Sequence, residues 1–215
     1  MDKDYSDCCV VSVAFRQPYL MHSRRQEITI VEISKGISYI PFRGGLPTKN
    51  GFEINDVVGA FQKSLYGFKP HAIQTVIDLG FKRIVWLDPS VLPTSDIKIL
   101  FDSLELRQMI VRTGDAPILK MTNEKALKWF AIPDDELINV KHIGGTIYGF
   151  NFTFQQTEHA FDLWKRAEED GMFGTQDEFM AGHWADESCL VLAMETYGIE
   201  QYWESNFKYV NQKEL

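Results

Sequence analysis

The segment Arg83 to Leu87 (RIVWL) constrains this chain more than any other: it is a β-branched and aromatic run that follows Gly80 and stops at Asp88-Pro89-Ser90. A short apolar run bounded by turn residues fits a strand buried on both faces, and such a strand needs helices on both sides of its sheet. Cys8 to Phe15 (CCVVSVAF) repeats the pattern and stops at Arg16-Gln17-Pro18. Ile37 to Phe42, Gln108 to Arg112 and Lys141 to Phe152 are further strand candidates. Helical patterns lie between them. They cover Leu20 to Ser34, whose Ile28 to Val31 stretch also has strand character, and Glu53 to Leu79, broken near Tyr66-Gly67 with Lys69-Pro70 opening its second piece. Further helices are expected at Ser95 to Leu104 with Ser95 as N-cap, at Thr122 to Phe130, at Gln155 to Glu169, and behind Asp186-Glu187 through Met194. Arg43 to Gly51 reads as a flap-like loop and Gly171 to Gly182 as a glycine-rich loop. Strands alternating with helices predict an α/β fold with a mostly parallel central sheet flanked by helices.

The 215 residues hold no internal repeat or linker, so one domain over 1–215 is expected, with a core at about 8–200 and a tail at 201–215. The tail aromatics Tyr202, Trp203, Phe207 and Tyr209 are expected to pack on the body. At 45% hydrophobic and 24% charged, the chain is neither disordered nor a coiled coil. It has no apolar run long enough to span a bilayer. Its acidic first residues are unlike a secretory signal, so a cytoplasmic location is expected. Cys8, Cys9 and Cys189 lack metal or disulfide spacing and read as small buried hydrophobes. A net charge of −8 argues against broad polyanion binding, although Arg24, Arg25, Arg43 and Lys49 are candidates for a local basic rim.

Asp88 carries the clearest chemical signal. Ligands collect beyond the carboxyl ends of strands in open α/β sheets, where a strand-end carboxylate faces the crevice. An aspartate before proline is equally a turn starter, and the residues alone leave both readings open.

Several landmarks occur in order: Tyr66-Gly67-Phe68-Lys69-Pro70, Trp86-Leu87-Asp88-Pro89-Ser90, Ile143-Gly144-Gly145, Gly149-Phe150-Asn151 and His183-x-x-Asp186-Glu187. Together they resemble GT-A-fold nucleotide-sugar glycosyltransferases over about residues 10–197. The likeness is to the glycogenin-like retaining branch, and more closely to relatives in phage and large-virus genomes. The resemblance implies a single GT-A (Rossmann-like) domain that transfers a hexose or pentose from a nucleotide-diphosphate sugar, UDP-sugar first, to an acceptor hydroxyl. Ala14, Phe15, Arg16 and Tyr19 would form the nucleotide pocket, and Lys69 and Asp88 would meet the diphosphate. Gly144, Gly145 and Asp186 would face the donor sugar, and Asp186 and Glu187 would be the catalytic carboxylates. Asp88 takes the first position of the family's strand-end D-x-D metal motif, with Ser90 in the second. A divalent cation, Mn2+ or Mg2+, is therefore implied on Asp88, Ser90 and His183. It would neutralise the diphosphate and assist its departure.

Ser90 in place of an acid motivates a second expectation, a catalytically weak or inactive sugar-nucleotide or glycan-binding module. A nucleotidyltransferase ranks last, because Phe15-Arg16-Gln17-Pro18 lacks a glycine-rich first loop. The acceptor, a glycan, a protein or a modified base in phage DNA, is left open.

Overall fold

The computed structural model describes residues 3–214. In chain order the elements are β1 (Cys8–Ala14), α1 (Tyr19–Ile33), β2 (Ser38–Arg43), β3 (Leu46–Thr48), β4 (Gly51–Glu53), α2 (Val57–Lys63), α3 (Phe68–Asp78), β5 (Arg83–Leu87) and β6 (Val91–Pro93). They continue with α4 (Lys98–Leu104), β7 (Met109–Pro117), α5 (Glu124–Phe130), α6 (Asp134–Leu137), β8 (Lys141–Asn151), α7 (Gln155–Glu169), α8 (Gln176–Met180), α9 (Ala185–Thr196) and β9 (Tyr209–Asn211).

Five strands form the central sheet in the order β2-β1-β5-β8-β7. β1 runs parallel to β2 and β5, whereas β8 is antiparallel to both β5 and β7. Four of the five strands thus run the same way, as the expected mostly parallel arrangement requires, and β8 alone is reversed. Direction is invisible in such runs, because a strand buried on both faces reads the same either way.

Alternate residues of each central strand enter opposite cores. Cys9, Val11, Ile84 and Trp86 face the layer of α3, α7 and α9, and Cys8, Val10, Val85 and Leu87 face Ile30 of α1 and Leu100, Phe101 and Leu104 of α4. The period-2 side-chain geometry of a strand accounts for why a continuous apolar run is needed here. All three cysteines are free and buried.

Three local expectations are corrected. The flap segment forms a hairpin, with Leu46 opposite Glu53 and Thr48 opposite Gly51. Ser95 does not cap α4; its hydroxyl exchanges hydrogen bonds with the Lys208 backbone, while Asp96 accepts from the Lys98 N–H. Within the glycine-rich loop, Thr175 and Glu178 build a capping box that starts α8. The tail aromatics pack on the body as expected: β9 pairs with β6, and Phe207 is 3% exposed in the α4-side core. No helix among the described residues is long and apolar enough to cross a membrane.

Because Phe207 fills a closed core, Phe207→Ala is expected to cost about 3 kcal/mol of unfolding free energy in urea denaturation. A loss below about 0.5 kcal/mol, typical of surface positions, would make the tail peripheral.

Candidate functional site

Register brings the landmarks to one edge of the sheet. Val11 lies beside Trp86 in the parallel β1/β5 pair, so Ala14 and Leu87 end near one another. β8 runs the opposite way, with Ile147 opposite Leu87, and the Asp88 N–H donates to the Thr146 carbonyl at 2.8 Å. The reversed strand therefore delivers Gly145 and Thr146 to the carboxyl ends of its neighbours. The first turns of α3 and α9 bring in Lys69 and Glu187. The resulting cleft has a cavity volume of about 150 Å3 and is lined by Ala14, Phe15, Arg16, Tyr19, Lys69, Asp88, Ser90, Gly145 and Glu187 from the sequence-derived set.

A buried ion pair forms the floor. Lys69 Nζ donates to Asp186 Oδ2 at 2.6 Å and to the Gly145 carbonyl at 2.9 Å, with both side chains at most 3% exposed. The ammonium also lies 4.9–5.5 Å from the ring centres of Tyr66, Trp86 and Tyr148. Tyr148 donates its hydroxyl to the same Asp186 oxygen at 2.8 Å, and the Trp164 indole donates to the Asp186 carbonyl at 2.9 Å. Burial pushes the Asp186 carboxyl above its ordinary value, opposed by Lys69 and the Tyr148 hydroxyl. A lysine has three donors, and two of Lys69's are spent on the protein, which alters the expectation of a free diphosphate ligand.

Glu187 projects from the floor into the cleft. Its Oε1 accepts from the Gly145 N–H at 2.6 Å. A Cβ at Gly145 would lie 2.2 Å from that oxygen, so only glycine admits this approach. Burial, and after it the neighbouring Asp186 carboxylate, push the Glu187 carboxyl up to about 8. Gly144 does not line the cleft, and a Cβ there would find no atom closer than 3.9 Å. The backbone is held off its preferred regions on both sides of the pair, at Tyr66 (φ 61°) before α3 and at Ala185 (φ 36°) opening α9.

The expected metal set is only partly assembled. Asp88 Oδ1 accepts from the Ser90 N–H at 2.8 Å and the Ser90 hydroxyl at 2.6 Å, so Ser90 serves the carboxylate. His183 is not brought to the cleft. Its Nδ1 accepts from the Asn123 N–H at 3.3 Å, and its Nε2 therefore donates to the Met172 carbonyl at 2.8 Å. The two ring nitrogens tie the α8–α9 link to the start of α5 and to the α7–α8 link. Among the described residues no group of three or more His, Cys, Asp or Glu side chains is placed to hold a metal. Among the described residues Asp88 Oδ2 has no hydrogen-bond partner, which fits a cation held by one carboxylate together with phosphate oxygens.

The four basic residues do not form one rim. Arg43 pairs with Glu27 at 2.7 Å, Arg25 reaches Gln212, Arg24 is exposed, and Lys49 lines a different cavity under the β3–β4 hairpin. The sequence reading missed Phe61, Tyr66 and Phe68, which supply aromatic wall, and Lys213, which joins the lining from the tail. Lys213 Nζ lies 5.3 Å from the Tyr19 ring centre, and contact with the Tyr19 hydroxyl raises its pKa. Gln212 anchors it by donating to the His22 and Pro89 carbonyls. A single lysine among polar terminal residues carries no signal; only the β6–β9 pairing reveals it.

No protein-family model matches the sequence, and no curated protein matches it. Solved structures do share its fold. The apo structure of WbbM, a bifunctional glycosyltransferase, aligns with a TM-score of 0.54 at 10% identity, covering 94% of this chain. This chain spans only 40% of that protein. The apo form of mouse xyloside xylosyltransferase 1 aligns with a TM-score of 0.52 at 12% identity, covering 89% of this chain and 82% of that one. The fold is therefore the GT-A-like fold of glycosyltransferases.

Two expectations follow from this geometry. Gly145→Ala displaces Glu187, whereas Gly144→Ala is tolerated, and near-ultraviolet circular dichroism with denaturation separates them. The raised Glu187 pKa means the native state holds a proton that the unfolded chain releases, so stability falls as pH rises towards 8. Buried His22, His142 and His183, with lowered pKa values, oppose this below about pH 6.5. Thermal melts between pH 6.5 and 8 therefore decline more steeply for the wild type than for Glu187→Gln; equal slopes would contradict the assignment.

Proposed function

We propose that this chain is a glycosyltransferase that moves a hexose or pentose from a nucleotide-diphosphate sugar, UDP-sugar first, to an acceptor hydroxyl. The observation that carries this reading is the convergence of Asp88, Gly145, Glu187 and Lys213 on one cleft with Asp186 directly behind it. The aromatic end, Phe15, Tyr19, Phe61 and Phe68, suits a nucleobase and ribose. Arg16 and Lys213 supply positive charge for a diphosphate, and Lys69, its charge balanced by Asp186, keeps one N–H donor. The sugar would then lie towards Gly145 and Glu187.

In such a pose Glu187 binds a donor-sugar hydroxyl. Asp186, behind it, contributes negative potential as positive charge develops on the anomeric carbon. Lys69 orients Asp186 and balances its charge within the floor. A divalent cation, Mn2+ or Mg2+, would be held by Asp88 Oδ2 and the donor's own phosphates, and would neutralise the leaving diphosphate. Ser90 fixes the Asp88 carboxylate and His183 takes no part.

Ser90 spending its hydroxyl on Asp88 favours one second reading, a donor-binding module without transfer. Calorimetry with UDP-, GDP- and dTDP-sugars decides between them. The transferase reading expects UDP binding that strengthens with Mn2+, no heat from Mn2+ alone, loss of the Mn2+ effect in Asp88→Ala, and slow donor hydrolysis. Binding without hydrolysis, unchanged in Asp88→Ala, favours the module. Failure of every nucleotide to bind overturns both.

A further inference from the structure

His142, near the start of β8, places Nε2 3.2 Å from Glu187 Oε2, with side-chain exposures of 7% and 15%. Both atoms are buried, and neither has a hydrogen-bond partner among the described residues. The His142 ring packs edge-on against Trp184, 5.5 Å between centres, so it has little freedom to turn away. Two buried polar atoms facing each other at this distance are costly unless a proton lies between them.

Three arrangements supply that proton: a carboxylic acid donating to a neutral ring, a neutral ring donating to a carboxylate, or an imidazolium paired with a carboxylate. The surroundings choose among them. Glu187 faces Asp186 on its own helix, Lys69 from α3, Asp88 at the end of β5, Tyr66 before α3, Tyr148 of β8 and Lys213 from the tail. Lys69 is already spent on Asp186, and Asp88 adds a second nearby negative charge. Lys213 is held against Tyr19 and drawn towards Asp88, so a third carboxylate here would have no cation of its own, and on the transferase reading it would also repel a diphosphate. Its other oxygen, Oε1, already accepts from Gly145, which leaves Oε2 as the protonated atom.

We propose that Glu187 is held at neutral pH as a carboxylic acid whose Oε2–H donates to Nε2 of a neutral, Nδ1-protonated His142, making His142 the positioning residue of the cleft's acid. The burial that raises the Glu187 carboxyl and lowers the His142 ring to about 4 favours this arrangement from both sides. Its use in donor binding rests on the transferase reading: a neutral acid gives a sugar hydroxyl or phosphate a fixed partner without adding charge. The proton assignment itself does not depend on that reading.

Long-range nitrogen–proton NMR correlations on the ligand-free protein with 15N-labelled histidine test the proposal. The chain has five histidines, and His142 is assigned by the signal lost in His142→Gln. The expected result is a neutral ring from pH 6 to 7.5, protonated on Nδ1, with Nε2 shifted as a hydrogen-bond acceptor. Glu187→Gln, whose amide still donates, preserves that signature, and Glu187→Leu removes the acceptor shift. An Nε2–H tautomer or an imidazolium at pH 7 overturns the proposal. A second arm measures UDP affinity at pH 7 and pH 9, where ionisation of Glu187 is expected to weaken wild-type binding more than binding to Glu187→Gln. Absence of UDP binding with the NMR signature intact refutes the donor reading and leaves the proton assignment standing.

Discussion

The Lys69–Asp186 ion pair is the interaction on which the site depends, because it joins three elements remote in sequence within a floor closed to water. Lys69 comes from α3, Asp186 from α9, and the Gly145 carbonyl that shares the ammonium comes from β8. A buried charge left without its partner costs several kcal/mol, so the pair's geometry is enforced by the penalty for breaking it more than by its own attraction. Tyr148 and Trp164 complete the hydrogen bonding of Asp186, and aromatic faces surround the ammonium. With the floor fixed, Glu187 one residue on is aimed across Gly145 into the cleft.

The sheet supplies the other constraint. Parallel β1 and β5 open their carboxyl ends side by side, and the reversed β8 feeds a glycine to the same edge. Gln26 of α1 then clamps the turn after β5 by donating to the Asp88 and Val91 carbonyls. The tail closes the third side, with Gln212 bonded to the Pro89 carbonyl and Lys213 over Tyr19. The cleft is thus a product of long-range pairing, although each wall is locally simple.

Sequence made legible what depends on nearby residues. The buried run Arg83–Leu87, the helix Gln155–Glu169 and the break before Lys69 were all readable, because burial, length and turn residues mark them locally. Most of the lining followed from the family resemblance in residue order. What stayed hidden required partners distant in the chain: the reversal of β8, the use of His183 by Met172 and Asn123, the internal commitment of Lys69, and the arrival of Lys213 through β9. His142 was silent for the same reason, since a lone histidine next to a glycine pair announces nothing until Glu187 is placed opposite it.

A double-mutant cycle on the floor tests this account most directly, with unfolding free energies of Lys69→Met, Asp186→Leu and the combined variant measured in urea. Each single substitution strands one buried charge and is expected to cost about 3–5 kcal/mol. The double variant removes both charges and is expected to cost no more than the worse single one, a coupling above about 2 kcal/mol. Costs that simply add would mean that the two groups do not depend on each other and that the pair does not organise the cleft.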